Sequence, residues 1–274
     1  MGPDSRTRSN AFYALAGTLP ASKDPMGRAH MKTIGLIGGM SWESTLLYYQ
    51  TINREVARRL GGLHSAKVLM HSLDFEDVVR GQKAGDWAGL TRLLRDAAQG
   101  LSRAGADVLL ICTNTMHKIA EDIVDEGMPP LLHIADVTGR AIRGQGLKRV
   151  ALLGTRYTME QSFYVDHLAR RGVECIVPPP VHRDEVHRII FEELCRGDFR
   201  ASSRQALQDV VAHASMAGAE GVILGCTELP LILGAGDVDL PLFDTTSLHA
   251  RAAADVALEA TAARPREIAG SAGA

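Results

Sequence analysis

From Met31 onward, short and wholly apolar runs alternate with longer stretches in which apolar residues recur every three or four positions. Runs of the first kind suit strands buried on both faces of a parallel sheet. Stretches of the second kind suit amphipathic helices laid over it. The pattern predicts a strand over 32–38, a tight turn at Gly38-Gly39-Met40-Ser41, and a helix over 43–60 closed by Gly61-Gly62. A strand over 67–73, a helix over 86–104 and a strand over 107–112 follow. Next come a helix over 116–126, ended by Gly127 and Pro129-Pro130, a short strand over 131–134 and a helix after Asp136. The sequence then restarts with a strand over 148–153, a helix over 159–171 and a strand over 174–177. It closes with helices over 184–195 and 202–217, a strand ending at Cys226 and a last helix over 247–263.

Several pieces recur in the same order, which is the mark of an internal repeat. Lys32-Thr-Ile-Gly-Leu-Ile-Gly38 matches Lys148-Arg-Val-Ala-Leu-Leu-Gly154, 116 positions on. Cys112 matches Cys226, 114 positions on, and Pro130-Leu-Leu matches Pro241-Leu-Phe, 111 on. Each cysteine ends an apolar run introduced by Gly-Ala-acid, at Gly105-Ala106-Asp107 and Gly218-Ala219-Glu220. The expected fold is α/β, with two pseudo-symmetric lobes over 31–140 and 141–246, each a short, mostly parallel sheet flanked by helices. The helix over 247–263 closes lobe two or crosses back to lobe one, and the sequence leaves both open. Residues 1–30, mixed polar with Gly, Pro and Ser, are expected to be a disordered extension, and 264–274 a disordered tail.

Composition narrows the function classes. The 274 residues carry a formal net charge of -2, with no basic patch of the kind that binds nucleic acid or a membrane surface. No apolar run approaches the roughly 20 residues of a membrane span. Four cysteines in a chain this long do not form a secreted disulfide framework, which favours a reducing cytoplasm.

Equivalent cysteines at the carboxyl ends of strands, in lobes facing each other across a cleft, suit one reaction in particular. Inverting a stereocentre that bears a hydrogen requires removal of the proton from one face and delivery to the other. A thiol whose ionisation is eased at a helix start serves as either base or acid. Thr113, Asn114 and Thr115 after Cys112, and Pro230 after Cys226, are residue types that begin helices. Amides at such helix starts hold a substrate carboxylate.

The segments Lys32-Thr-Ile-Gly-Leu-Ile-Gly-Gly-Met-Ser41, Ile111-Cys-Thr-Asn-Thr-Met-His117 and Leu224-Gly-Cys-Thr-Glu228 resemble the aspartate/glutamate racemase family. The similarity is strongest to the subgroup carrying Gly38-Gly-Met-Ser-Trp-Glu-Ser44 and Leu152-Leu-Gly-Thr-Arg-Tyr-Thr-Met-Glu160, and it runs from about Met31 to Ala254. It implies a two-lobed fold with the site in the cleft, amino-acid racemisation without PLP or other cofactor, and Cys112 and Cys226 as the paired acid and base. It further implies that Met40, Ser41, Thr113, Asn114, Thr115, Thr227 and Glu228 line the substrate site. Members of the family are commonly cytoplasmic and often homodimeric.

Acidic-substrate members of that family place cations after strand two and early in the second lobe's second crossover. Here the first region, His71-Ser-Leu-Asp-Phe-Glu76, has no cation before Arg80, and in the second Arg183 or His182 would have to stand in. Aspartate or glutamate is the expected substrate. A neutral polar amino acid such as homoserine, and a related hydantoin, maleate or arylmalonate reaction, are the alternatives, as is a two-lobed binding protein without turnover. Cys175 and Cys195, which have no counterpart in the other lobe, are expected to be structural, and Glu192-Glu193 to lie on a solvated helix face. Gly35-Leu-Ile-Gly-Gly-Met lacks the dinucleotide spacing, and Cys112 with His117 lacks the second ligand pair of a zinc site. His71 and His133 are expected at strand ends, outside the first layer of substrate contacts.

Overall fold

The computed structural model of the chain describes residues 31–262, so the extension expected over 1–30 and the tail over 264–274 lie outside the described residues. The apolar runs form two parallel sheets. In lobe one, β1 (Ile34–Gly38), β2 (Val68–Ser72) and β3 (Val108–Ile111) stand in the order β2-β1-β3. In lobe two, β4 (Arg149–Gly154), β5 (Glu174–Ile176), β6 (Val222–Gly225) and β7 (Leu242–Asp244) stand in the order β5-β4-β6-β7. β1, β3 and β6 are buried along their whole length, as their unbroken apolar sequences require.

Helix α1 (Trp42–Leu60) is capped by the Ser41 hydroxyl, which accepts from Ser44 N, and it buries Thr45, Tyr48, Ile52 and Val56 at three- and four-residue spacing. Helix α2 (Phe75–Ala84) has no counterpart in the expected elements. Asp74 caps it through Glu76 N and Gly85 ends it in the left-handed conformation. Helix α3 (Trp87–Arg103) leads to β3. The helix expected over 116–126 is a 3-10 helix, Thr115–Asp122. The strand expected over 131–134 reduces to one bridge between Leu109 and Leu131, because Ile134 already opens α4 (Ile134–Gly144).

In lobe two, the helix expected over 159–171 divides into α5 (Arg156–Glu160) and α6 (Ser162–Ala169), since Gln161 between them is extended. The helix expected over 184–195 begins earlier, as α7 (Pro180–Arg188) with proline in its first turn. It runs on through a π turn, Ile189–Glu193, and a 3-10 turn, Leu194–Arg196. Helices α8 (Ala201–Met216) and α9 (Thr245–Ala262) complete the set. Glu193 is not on a solvated face. It is 1 % exposed, and it accepts from Arg188 Nη1 at 2.6 Å and from the Ser203 hydroxyl.

Each lobe lends one helix to the other. Ile134, Ala135 and Ile142 of α4 belong to the lobe-two core with Val150, Leu152 and Leu168. Ala250, Ala253 and Ala257 of α9 belong to the lobe-one core with Ile34, Tyr48, Ile52 and Cys112. Among the described residues, no helix is long and apolar enough to cross a membrane.

Where these helices meet, buried histidines are held neutral. His249 Nε2 donates to Leu132 O at 2.7 Å, so its Nδ1 accepts the Tyr48 hydroxyl at 2.8 Å. His117 Nδ1 donates to Thr113 O at 2.8 Å, while its Nε2 accepts from Ile134 N at 3.2 Å. His133 lies with its ring centroid 4.5 Å from that of His117 and stacks on His167 at 4.0 Å. Burial is the largest cause that holds His117 well below the usual imidazole range, His133 at about 3 and His249 at about 4. The unfolded chain therefore binds more protons than the folded one below the ordinary imidazole pKa of about 6.5. Stability is full above that pH and falls as pH drops from 6.5 toward 4. Urea midpoints measured across this window should decline, and His249→Gln should flatten the decline. A slope unchanged in that variant would remove His249 as a contributor.

Candidate active site

The cleft is built from loops at the carboxyl ends of the strands, the edge where ligands bind in α/β sheets. After β1 the chain must turn sharply. Gly39 has φ +83°, and a Cβ there would fall 2.2 Å from Leu73 O, so no other residue fits. Thr45 Oγ1 accepts from Gly39 N at 2.9 Å and donates to Ser41 O at 2.9 Å, locking the turn to the first turn of α1. That lock brings Met40 and Ser41 to the cleft.

The loops after β3 and β6 supply much of the cavity lining, and the ladder register decides which side chains they present. Ile37 of β1 pairs with Ile111, and Leu153, its counterpart in β4, pairs with Leu224. Counting on from those partners, Gly225 is the equivalent of Cys112, and Cys226 is the equivalent of Thr113. The strand entrances agree, because Asp107 accepts from Thr33 N at 2.7 Å and Glu220 accepts from Arg149 N at 2.9 Å. Side chains alternate along a strand, so Val108, Leu110 and Cys112 share the face covered by α1 and α9, whereas Leu109 and Ile111 face the core with α3. Cys112 is wholly buried beside Tyr48, Ala250 and Ala253, and burial pushes its thiol well above the usual range. The structure does not bring Cys112 to the cavity. It brings Thr113 there, in the same lining as Cys226.

The cavity holds about 450 Å³ of empty space counting its open mouth. Met40, Thr113, Asn114, Thr115, Cys226, Thr227 and Glu228 are among the residues that line it. Glu228 is its electrostatic centre. One carboxylate oxygen accepts the Ser41 hydroxyl at 3.0 Å from the other lobe. The second oxygen accepts the Cys226 thiol at 2.9 Å and the Thr227 hydroxyl at 2.8 Å. Burial first, then the neighbouring Glu228 charge, push the Cys226 thiol well above its ordinary range, so the resting group is a neutral thiol. Two more contacts join the lobes. Thr115 and Thr155 share a hydroxyl hydrogen bond at 3.1 Å, and Asn114 Nδ2 donates to Thr245 Oγ1 at 3.0 Å. The Asn114 carbonyl oxygen, buried in the lining, has no protein partner.

Arg183 is absent from the lining. Its Nε donates to Glu160 at 3.1 Å and its Nη1 to Pro178 O at 3.1 Å. Cys195, expected to be structural, does line the cavity, from the 3-10 turn that follows the π turn carrying Ile190 and Phe191. Burial and then the Glu228 charge push the Cys195 thiol to about 12. Phe75 and Gln82 reach the lining from α2, and Thr155 from the cap of α5. Cys175 packs against the lobe-two core.

The family model described as Asp/Glu/Hydantoin racemase matches residues 37–253. Among solved structures, a putative Asp/Glu racemase from Yersinia pestis is 51% identical with a TM-score of 0.79, over 83% of this chain and 100% of that one. An aspartate racemase homologue from Pyrococcus horikoshii OT3 is 35% identical with a TM-score of 0.72, over 83% and 99% of the two chains. The broad specificity amino-acid racemase RacX of Bacillus subtilis is 24% identical over 164 residues, 59% of this chain and 70% of that protein.

The Cys226–Glu228 contact has a measurable sign. A carboxylate beside a thiol disfavours the thiolate, so removing its charge eases ionisation. In Glu228→Gln, alkylation of Cys226 by iodoacetamide, followed by mass spectrometry, should reach half its maximal rate at lower pH than in the parent. An unchanged midpoint would show that the carboxylate does not govern the thiol.

Proposed function

The chain belongs to the Asp/Glu/Hydantoin racemase family, whose reaction here is that of an amino-acid racemase, and from that premise we propose an asymmetric site in which Cys226 and Thr113 flank the substrate α-carbon. The observation that carries this reading is their equivalence in the two ladders together with their common position on the cavity wall. The Cys226 thiol passes its proton by way of Glu228 to water, which leaves the carboxylate charged and offsets the hydroxide formed when Thr113 is replenished, and the resulting thiolate takes the α-proton. The opposite face receives a proton through the Thr113 hydroxyl, which is replenished from water. In the other direction the neutral Cys226 thiol is the donor. A hydroxyl is a much weaker acid than a thiol, so Thr113 relays a proton whereas Cys226 holds one, and the two directions are kinetically unequal.

The substrate head group finds complementary partners. Threonine hydroxyls of the lining donate to the α-carboxylate. Glu228 and the unpartnered Asn114 oxygen accept from the α-ammonium. An ammonium beside Glu228 also offsets the charge that opposes the thiolate, so ionisation of Cys226 is coupled to substrate binding. No step requires a cofactor.

Exchange of the α-hydrogen in deuterated water, followed by NMR, and racemisation, followed by chiral chromatography, test the assignment. Cys226→Ala should lose about 10²–10⁴-fold in both. Thr113→Ala should depress racemisation while retaining exchange on the Cys226 face. Cys112→Ala should keep turnover per folded molecule, at a stability cost on the order of 1 kcal/mol for the deleted buried atom. Loss of turnover in Cys112→Ala with an intact fold would restore the pair of cysteines as the acid and base and overturn the role given to Thr113.

A further inference from the structure

We infer, resting on the racemase reading above, that this site is built for amino acids whose side chain carries no charge. No lysine, arginine or histidine stands among the described residues that line the cavity. The one ionised side chain there is Glu228, whose charge is engaged by Ser41, Cys226, Thr227 and, on binding, the α-ammonium. The space left for a side chain is walled by Met40, Phe75, Met116, Ile190 and Phe191, with the Gln82 amide as its polar member. A carboxylate placed there would be stripped of water, would meet no cation, and would face a second carboxylate.

Arg183, Arg188 and Lys118 have other partners, and His182 does not line the cavity. Arg183 is held by Glu160 and Pro178 O. Arg188 pairs with Glu185 at 2.8 Å and with Glu193 at 2.6 Å. Lys118, on the 3-10 helix that follows the Thr113 loop, lies with its Nζ 3.9 Å from the centroid of the exposed-side Trp87 ring. An unbranched neutral chain, aliphatic, thioether, amide or hydroxyl-ended, fits both the apolar wall and the Gln82 amide. Glutamine and glutamate differ in charge at nearly equal size, so their comparison isolates the point at issue.

The test uses the full chain with the single enantiomers of methionine, homoserine, glutamine, glutamate and aspartate. Exchange of the α-hydrogen in deuterated water gives kcat/KM for each. The expected result is a preference for glutamine over glutamate of at least about tenfold, the factor that 1.4 kcal/mol of unpaired burial produces, with methionine or homoserine also above both acids. Equal or faster exchange of glutamate or aspartate overturns the inference. Binding is read separately, as the rise in Tm of the Cys226→Ala variant on adding each amino acid. A rise with neutral amino acids only, without exchange in the parent protein, would sink the racemase reading and keep the substrate class. A rise with the acids only, or with none of the five, overturns the substrate class whatever the parent turns over.

Discussion

Alternation of side chains along a strand is the constraint on which the site depends. In a parallel ladder each residue's partner is fixed, and moving one position along the strand sends a side chain to the opposite face. β3 ends at Ile111 and is followed by Cys112 on the face closed by α1 and α9, so the next residue, Thr113, is the first free to enter the cleft. In the same frame β6 ends with Gly225 where Cys112 stands in lobe one, and Cys226 therefore enters the cleft. Two cysteines that look equivalent in sequence are separated by half a strand period in space. One belongs to a core and the other to a site.

The second determinant is the single carboxylate between the lobes. Glu228 accepts hydrogen bonds from Ser41 of lobe one and from Cys226 and Thr227 of lobe two. The same group thus holds the cleft closed and holds the thiol protonated. Its hydrogen bonds are mutually reinforcing in a buried setting, where an unpartnered carboxylate would be costly. Any cationic group arriving in the cleft competes with Ser41 and the thiol for that charge, so opening the cleft and freeing the thiol for ionisation are linked through one residue. Thr115 with Thr155 makes the symmetry-related contact, with a second hydroxyl in place of the carboxylate, so the two contacts that join the lobes differ in charge.

Much of this was legible in the chain. Unbroken apolar runs gave the strands, and the recurrence of Lys32–Gly38 at Lys148–Gly154 gave the two lobes. The residues after the strands, Met40, Thr113, Asn114, Thr115, Cys226, Thr227 and Glu228, are among those that line the cavity. What misled was spacing. The cysteines are 114 positions apart, whereas Gly105-Ala106-Asp107 and Gly218-Ala219-Glu220 are 113 apart, and the ladders follow the latter. The acid of each triplet anchors the entrance of its strand to the neighbouring one, so it marks the register more securely than a residue type at the far end. Other features were hidden for physical reasons. Gly81 inside α2 obscured a helix whose real signals are the Asp74 cap and Gly85. The π turn and the 3-10 turn that bring Phe191 and Cys195 to the cavity depend on tertiary packing rather than on a local pattern.

The exchanged helices tie the two lobes together behind the site. α9 begins at the carboxyl end of β7 in lobe two, where Thr245 bonds Asn114, and then packs its alanine face on lobe one. α4 makes the reverse crossing from lobe one to the lobe-two core. Alanines at 250, 253 and 257 let α9 approach α1 closely, and at that seam His249 accepts the Tyr48 hydroxyl and donates to Leu132 O. Beside that seam, the lobes are joined at the cleft by the hydrogen bonds of Glu228, Thr115 and Asn114, so side chains that line the cavity also hold the two sheets together.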